Sequence, residues 1–211
     1  MDLASFRNEY TMAELDQSIA PSDPIVLFHQ WLDEAVMRSL PEPNAMTLAT
    51  VTPDGKAAAR VVLLKAVDDG HFVFYTNYKS RKGRELESNP HAALVFLWLE
   101  LQRQVRVEGT VEKVSAAASD AYFATRPRDN QIGALASPQS EPVSDRETLE
   151  RQYLAVQKRY EGRKIGRPDQ WGGYRLKPDS IEFWQGRKSR MHDRLFYNKQ
   201  NGQWDVRRLA P

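Results

Sequence analysis

The chain has 211 residues, 27% of them charged and 41% hydrophobic, with no cysteine and a formal net charge of +2. A chain of this mass buries about 70% of its surface, enough for one core without staples. The composition excludes a disordered chain, and the lack of cysteine excludes disulfides, thiolate metal sites and cysteine nucleophiles. The first residues carry Asp2, Glu9, Glu14 and Asp16 rather than a basic-then-apolar leader, and no apolar run approaches a membrane span. We therefore expect a soluble, cytoplasmic protein. Charge is uneven: −6 over residues 1–50, zero over 51–157 and +8 over 158–211. Such a basic third suits an anionic partner or a solvated surface.

Residues 1–22 have no period and are expected as a mobile arm before one domain over 23–211. Asp23-Pro24 opens a helix, with Asp as N-cap and Pro in the first turn. Phe28, Trp31, Leu32, Ala35 and Val36 then give it one apolar face, and Pro41–Asn44 ends it. Strands are expected over Met46–Val51, Ala58–Lys65, Phe72–Thr76, Ala92–Trp98 and Gln104–Glu112, linked by turns such as Pro53-Asp54-Gly55. Ser80 caps a short helix that Asn89-Pro90 stops. Ser115 caps an alanine-rich helix that Arg126-Pro127 breaks. Ser144 with Glu147 reads as a capping box for a further helix, ended by Gly162. Strands return at Tyr174–Leu176, Ile181–Gln185, Leu195–Tyr197 and Trp204–Leu209, the last two joined by the hairpin signal Asn201-Gly202. The class is α+β, an antiparallel sheet or barrel with inserted helices.

Most catalytic signatures are missing: there is no phosphate-loop, dinucleotide, zinc-protease or serine-hydrolase motif. His29, His71, His91 and His192 are too scattered for a metal cluster, and no metal is expected. What remains is cations and hydroxyls beside element ends. Ser80-Arg81-Lys82 opens a helix, whose free N–H groups and positive dipole end make a phosphate cradle or merely a capped surface helix. Arg60 and Lys65 lie five apart on one expected strand and so point to opposite faces. Tyr122, Arg126 and Asn130 recur at helical spacing and could hold a second phosphate, although Pro127 interrupts them. The densest stretch, Phe183–Arg194, packs four cations, an imidazole and a tryptophan into twelve residues. Arg190, His192 and Arg194 alternate there, and on an extended chain they would face one side and need an anion among them.

These stretches, taken in order, resemble the pyridoxine/pyridoxamine 5′-phosphate oxidase family. The resemblance is carried by R-V-V-L-L-K at 60–65, F-Y-T-N at 74–77, S-R-K at 80–82, R-Q-V at 103–105, R-P-R-D-x-Q-I-G at 126–133, Q-S at 139–140, F-W-Q-G at 183–186, R-x-H-D-R at 190–194 and the final R-L-A-P. It implies a split β-barrel with flanking helices, a homodimer, and FMN in clefts between the subunits. FMN contacts then fall on Arg60, Val61, Val62, Leu63, Leu64, Lys65, Tyr75, Thr76, Arg81, Lys82, Gln104, Gln139, Ser140, Trp184 and Arg194. Substrate contacts fall on Arg7, Asn8, Glu9 and Tyr10 of a closing arm, and on Lys65, Tyr122, Arg126, Asn130, Arg190, Met191 and His192. Arg190 and His192 are the implied catalytic pair. Asn130 stands where the family usually has serine. The implied reaction is oxidation of pyridoxine or pyridoxamine 5′-phosphate by dioxygen to pyridoxal 5′-phosphate. Two rival readings remain: a split-barrel flavin binder without this activity, and a nucleic-acid binder prompted by the basic tail. Partners of the first reading are small molecules and a second copy, with no nucleic acid and no membrane.

Overall fold

The computed structural model describes residues 9–211. Helix α1 (Pro24–Met37) starts where expected: Asp23 is its N-cap and its side chain accepts from the Ile25 N–H. Its buried face, Leu27, Phe28, Trp31 and Ala35, closes one mouth of a curled sheet. Strands β1 (Ala45–Val51), β2 (Ala57–Leu63), β3 (Ala66–Asp68), β4 (His71–Asn77), β5 (His91–Trp98), β6 (Arg103–Lys113), β7 (Trp171–Gln185), β8 (Asp193–Gln200) and β9 (Gln203–Arg208) form that sheet. Their order is β2-β1-β5-β6-β7-β4-β3, with β8 and β9 added beside β7. All pairings are antiparallel. The fold is the α+β split barrel expected. Phe28, Phe72 and Phe96 meet edge-on or tilted at its centre. Each ring contributes area burial plus roughly 0.5–1.5 kcal/mol per aromatic pair.

Helix α2 (Arg81–Ser88) follows β4, and α3 (Ala116–Thr125), α4 (Arg128–Ala136) and α5 (Arg146–Arg159) fall between β6 and β7. A second, smaller core of Phe123, Ile132, Ile165 and Trp171 lies beneath them. No helix among the described residues is long and apolar enough to cross a membrane.

Four readings need correction. Strand β2 ends at Leu63: the Leu64 N–H donates to Asn44 O and the Lys65 N–H to Val73 O, so Lys65 lies beyond the strand and the opposite-face argument lapses. The α5 cap is Asp145, not Ser144, because the carboxylate accepts from the Thr148 N–H at 2.7 Å. The two expected strands at 174–176 and 181–185 are one strand, β7, carried past Pro178-Asp179 by a bulge. Gly109 lies opposite that bulge, where a Cβ would fall 2.0 Å from the Lys177 carbonyl oxygen. Finally, α4 was not expected as a helix at all.

The described part of the arm lies along the body. Gln102 Oε1 accepts from the Thr11 and Met12 N–H groups at 2.9 and 3.2 Å. Asp193 accepts from the Leu15 N–H with one oxygen and from Arg208 with the other. Leu15 itself is buried. Arg7 and Asn8 lie outside the described residues.

Candidate active site

Chemistry-bearing side chains gather at three places. The first is the corner where β4 meets α2. Ser80 is fully buried, and its hydroxyl accepts from the Gly83 N–H, fixing the helix start. The Arg81 and Lys82 N–H groups, in the first turn, have no intrahelical acceptor. Lys82 Nζ reaches Thr76 Oγ1 at 3.2 Å and Gln139 Oε1 at 3.5 Å. Thr76 Oγ1 and Gln139 Oε1 are 3.1 Å apart. Burial, then the charge of Arg60, pushes the Lys82 amine below its ordinary value. Ser140 beside Gln139 has a positive φ of 71°, a strained turn for a serine. Arg60 donates from Nη2 to Glu85 Oε2 at 2.7 Å, and from Nη1 to Thr50 and the Leu48 carbonyl. Of the rest of that motif, Val61 is exposed, Leu64 is buried and Lys65 is exposed.

The second place adjoins it. Tyr75, next to Thr76 on β4, stacks on Tyr122 of α3 with centroids 3.8 Å apart, and both rings lie nearly parallel to Trp171. The Arg126 guanidinium sits 4.5 Å over the Trp171 ring. Its Nη1 is buried with no hydrogen-bond partner among the described residues. A buried guanidinium nitrogen without an acceptor is costly, and an anionic acceptor here would offset that cost. Pro127 does break the helical spacing. Asn130 sits exposed in the first turn of α4, on a different helix from Tyr122.

The third place is the far end of β7. Gln104, Trp184 and Arg194 lie side by side in register across β6, β7 and β8. Trp184 packs on His192 at 4.5 Å, and Tyr10 of the arm meets both rings edge-on at 5.8 and 5.6 Å. Tyr10 fits only because residue 186 is glycine: a Cβ there would lie 2.8 Å from Tyr10. His192 Nδ1 accepts the Arg187 N–H at 3.1 Å, so the neutral ring carries its proton on Nε2. Burial, then the charge of Arg190, pushes the imidazole pKa down. A cavity of about 470 Å³ opens between residues 10–14 and Arg187, Lys188 and Met191.

This end departs from the expected geometry. Residues 188–190 form a tight turn with Ser189 and Arg190 in the left-handed region, not an extended run. Arg190 is exposed, as is Glu9. Arg194 is ion-paired with Glu182 at 2.8 Å and donates to the Ala210 carbonyl. The alternating-face argument for the three therefore lapses: the turn sets Arg190 beside His192 off the strand, and Glu182 holds Arg194. Sequence reasoning also missed Glu85, Trp171 and Gln102. Only Glu85 left a signal: it stands four residues after Arg81 on a capped helix.

The profile of the family described as pyridoxamine 5′-phosphate oxidase matches residues 32–160, and one described as the pyridoxine 5′-phosphate oxidase C-terminal dimerisation region matches 171–211. A pyridoxine/pyridoxamine 5′-phosphate oxidase of Rubrobacter xylanophilus is 57% identical over all of this chain and 97% of its own length. One from Burkholderia vietnamiensis is 54% identical, covering 99% of each chain. Among solved structures, PhzG of Burkholderia lata 383, in complex with tetrahydrophenazine-1-carboxylic acid, superposes with a TM-score of 0.90 at 31% identity, over 97% of this chain and 100% of that one. The curled antiparallel sheet, with the relatives it matches, defines a split-barrel protein of the oxidoreductase class. Within that class, the chain belongs to the pyridoxine/pyridoxamine 5′-phosphate oxidase family.

Proposed function

We propose that the protein is an FMN-dependent oxidase that converts pyridoxine 5′-phosphate and pyridoxamine 5′-phosphate to pyridoxal 5′-phosphate. Dioxygen is reduced to hydrogen peroxide, and the amine substrate also releases ammonia. The observation that carries the reading is the pairing of two anion sites. The Lys82 corner suits one phosphate, and Arg126 beside Tyr122, with Nη1 unbonded among the described residues, suits another; the β4 neighbours Thr76 and Tyr75 touch one each. A carrier of FMN alone has no use for the second.

Arg81, Lys82 and the start of α2 would hold the cofactor phosphate, with Arg60 behind them. Gln139 and Ser140 flank it, and the Val61–Leu64 backbone with Tyr75 would border the rest of the cofactor. Bound there, FMN would supply two-electron redox chemistry between the substrate C4′ carbon and dioxygen. Lys65, Tyr122 and Arg126 would hold the substrate phosphate, with Asn130 at its edge. Arg190, Met191 and His192 would orient the ring, His192 as an Nε2–H donor rather than a base. Tyr10, flanked by Arg7, Asn8 and Glu9, would cover it and exclude water. No side chain here is a strong general base, so positioning carries much of the rate.

Distance along the sheet supports a homodimer if the resemblance-implied FMN contacts at both ends of β7 belong to one cofactor. Tyr75 pairs with Gly173 and Gln104 with Trp184, so eleven residues of β7 separate the two halves. At about 3.3 Å per residue that is roughly 36 Å along the strand, too far for one cofactor to touch both ends in one chain. On this reading a second copy would bring its Trp184 end to the first copy's Lys82 corner. The dimerisation-region match, which contains Trp184, His192 and Arg194, supports this.

The test is a visible spectrum of the purified protein, then anaerobic addition of pyridoxine 5′-phosphate. A yellow protein that bleaches, and releases peroxide when air is admitted, supports the reading. A yellow protein that never bleaches leaves only a flavin binder. The likeness to PhzG favours a second reading, an aromatic carboxylate at Arg126 in place of a phosphate ester. Bleaching by a reduced phenazine carboxylate and not by the vitamin phosphate would select it.

A further inference from the structure

Glu85 takes no part in the scheme above, yet it is the most enclosed carboxylate near the corner, with a side chain only 2% exposed. Three side chains serve its two oxygens. Oε2 accepts from Thr50 Oγ1 at 2.6 Å and from Arg60 Nη2 at 2.7 Å, and Oε1 accepts from Arg81 Nε at 2.8 Å. The two arginines come from different elements, β2 and α2, and Glu85 is the only group among the described residues that both are hydrogen-bonded to. Thr50, on β1, closes the set by accepting from Arg60 as well.

Burying a carboxylate costs several kcal/mol unless its partners repay it. A helix of eight residues does not need a buried carboxylate to fold, and the Ser80 cap already fixes its start. The arrangement makes sense if its product is the placement of the arginines. Charge points the same way. Arg60, Arg81 and Lys82 against one carboxylate leave two positive charges, which match a phosphate dianion of about −2. Without Glu85 three crowded cations would repel one another while the corner stood open.

We propose that Glu85 is a positioning residue for the cofactor phosphate, holding Arg60 and Arg81 in the orientation and charge balance that the phosphate meets. This rests on the FMN reading. Burial raises the Glu85 pKa, the hydrogen bonds from Thr50, Arg81 and Arg60 lower it more, and the carboxylate stays ionised in the working range.

The measurement is the affinity of the apoprotein for FMN and for riboflavin, by quenching of flavin fluorescence. Riboflavin lacks the phosphate, so the ratio of the two affinities isolates the corner from the rest of the site. In Glu85→Leu the preference for FMN should fall at least tenfold while riboflavin binding stays as in the wild type. Glu85→Gln keeps the length but loses the charge and sets an NH2 donor against one of the arginines, so it should also lose most of the preference. Glu85→Asp keeps the charge but cannot reach both arginines, and should lose it. It also decides the matter if the leucine variant does not fold. An unchanged ratio in Glu85→Leu and Glu85→Asp overturns the proposal, as does an equal loss for both ligands, which is what a purely structural role predicts. A wild-type protein that binds both flavins equally well overturns the cofactor reading itself.

Discussion

The Lys82 corner and the Trp184 ledge both display cations, but they hold them differently. In the corner Arg60 and Arg81 are already tied to a buried carboxylate, and Lys82 leans on two oxygens. At the ledge Arg190 stands exposed on a left-handed turn, and a separate arm supplies the covering ring. On the proposed reading, the difference teaches how one site would serve two residence times. A cofactor that stays through many turnovers would be met by groups ordered in advance, so that little entropy is lost on binding. A substrate that must enter and leave would be met by groups that can move.

The largest effect should come from separating the two regions onto different chains. Take Arg81→Ala/Lys82→Ala as one inactive variant and Arg190→Ala/His192→Ala as another. Refolded together, half the dimers carry one intact site, so about a quarter of wild-type activity should return. No recovery on mixing would mean that each chain builds its own site. Next in size, Arg126→Ala should raise KM for the phosphate substrate by ten- to a hundredfold, from about 1.5–3 kcal/mol for a charged hydrogen bond. Flavin content should not change. If flavin is lost instead, Arg126 belongs to the corner rather than to substrate.

A smaller effect is expected at the ledge. Gly186→Ala should push Tyr10 aside and raise KM about tenfold, at a cost near 1–3 kcal/mol for overpacking. A normal KM with a normally protease-resistant arm would show that Tyr10 tolerates the methyl. The smallest effect is in acid. The folded pKa of Glu85 lies below the ordinary 4.5. A group of that sign stabilises the fold fully above 4.5 and loses its contribution as pH falls through the folded value. Melting temperature should drop in that window for the wild type and less steeply for Glu85→Gln. Glu34 persists in both: burial raises its pKa, but Arg103 and Arg38 bring it down further. Parallel curves would remove Glu85 from the acid transition.

What was legible in the sequence was chiefly local. Asp23-Pro24, Ser80 and Asn201-Gly202 act through their own backbone, so three or four residues suffice to read them. Helix α4 was hidden because Pro127 offers no capping side chain and its short run has little amphipathic contrast. Strand β7 was split because Pro178 reads as a breaker until Gly109 is seen to make room across the ladder. The site followed the same rule. Lys82 and Thr76 sit in motifs, and their neighbours in space are near neighbours in the chain. Trp171, 45 residues after Arg126, and Gln102, some 90 residues after the arm it holds, could not be paired without the fold.

Asp193 has a consequence for handling the protein. One oxygen holds Leu15 near the start of the chain and the other holds Arg208 near its finish, while the Ala210 carbonyl holds Arg194. The two ends are therefore mechanically joined, through this carboxylate and directly by Arg208 Nη2 donating to the Leu15 carbonyl and Gln17 Nε2 to the Val206 carbonyl. An affinity tag fused after Pro211, or a clip removing the last four residues, would be felt first as a loosened Tyr10.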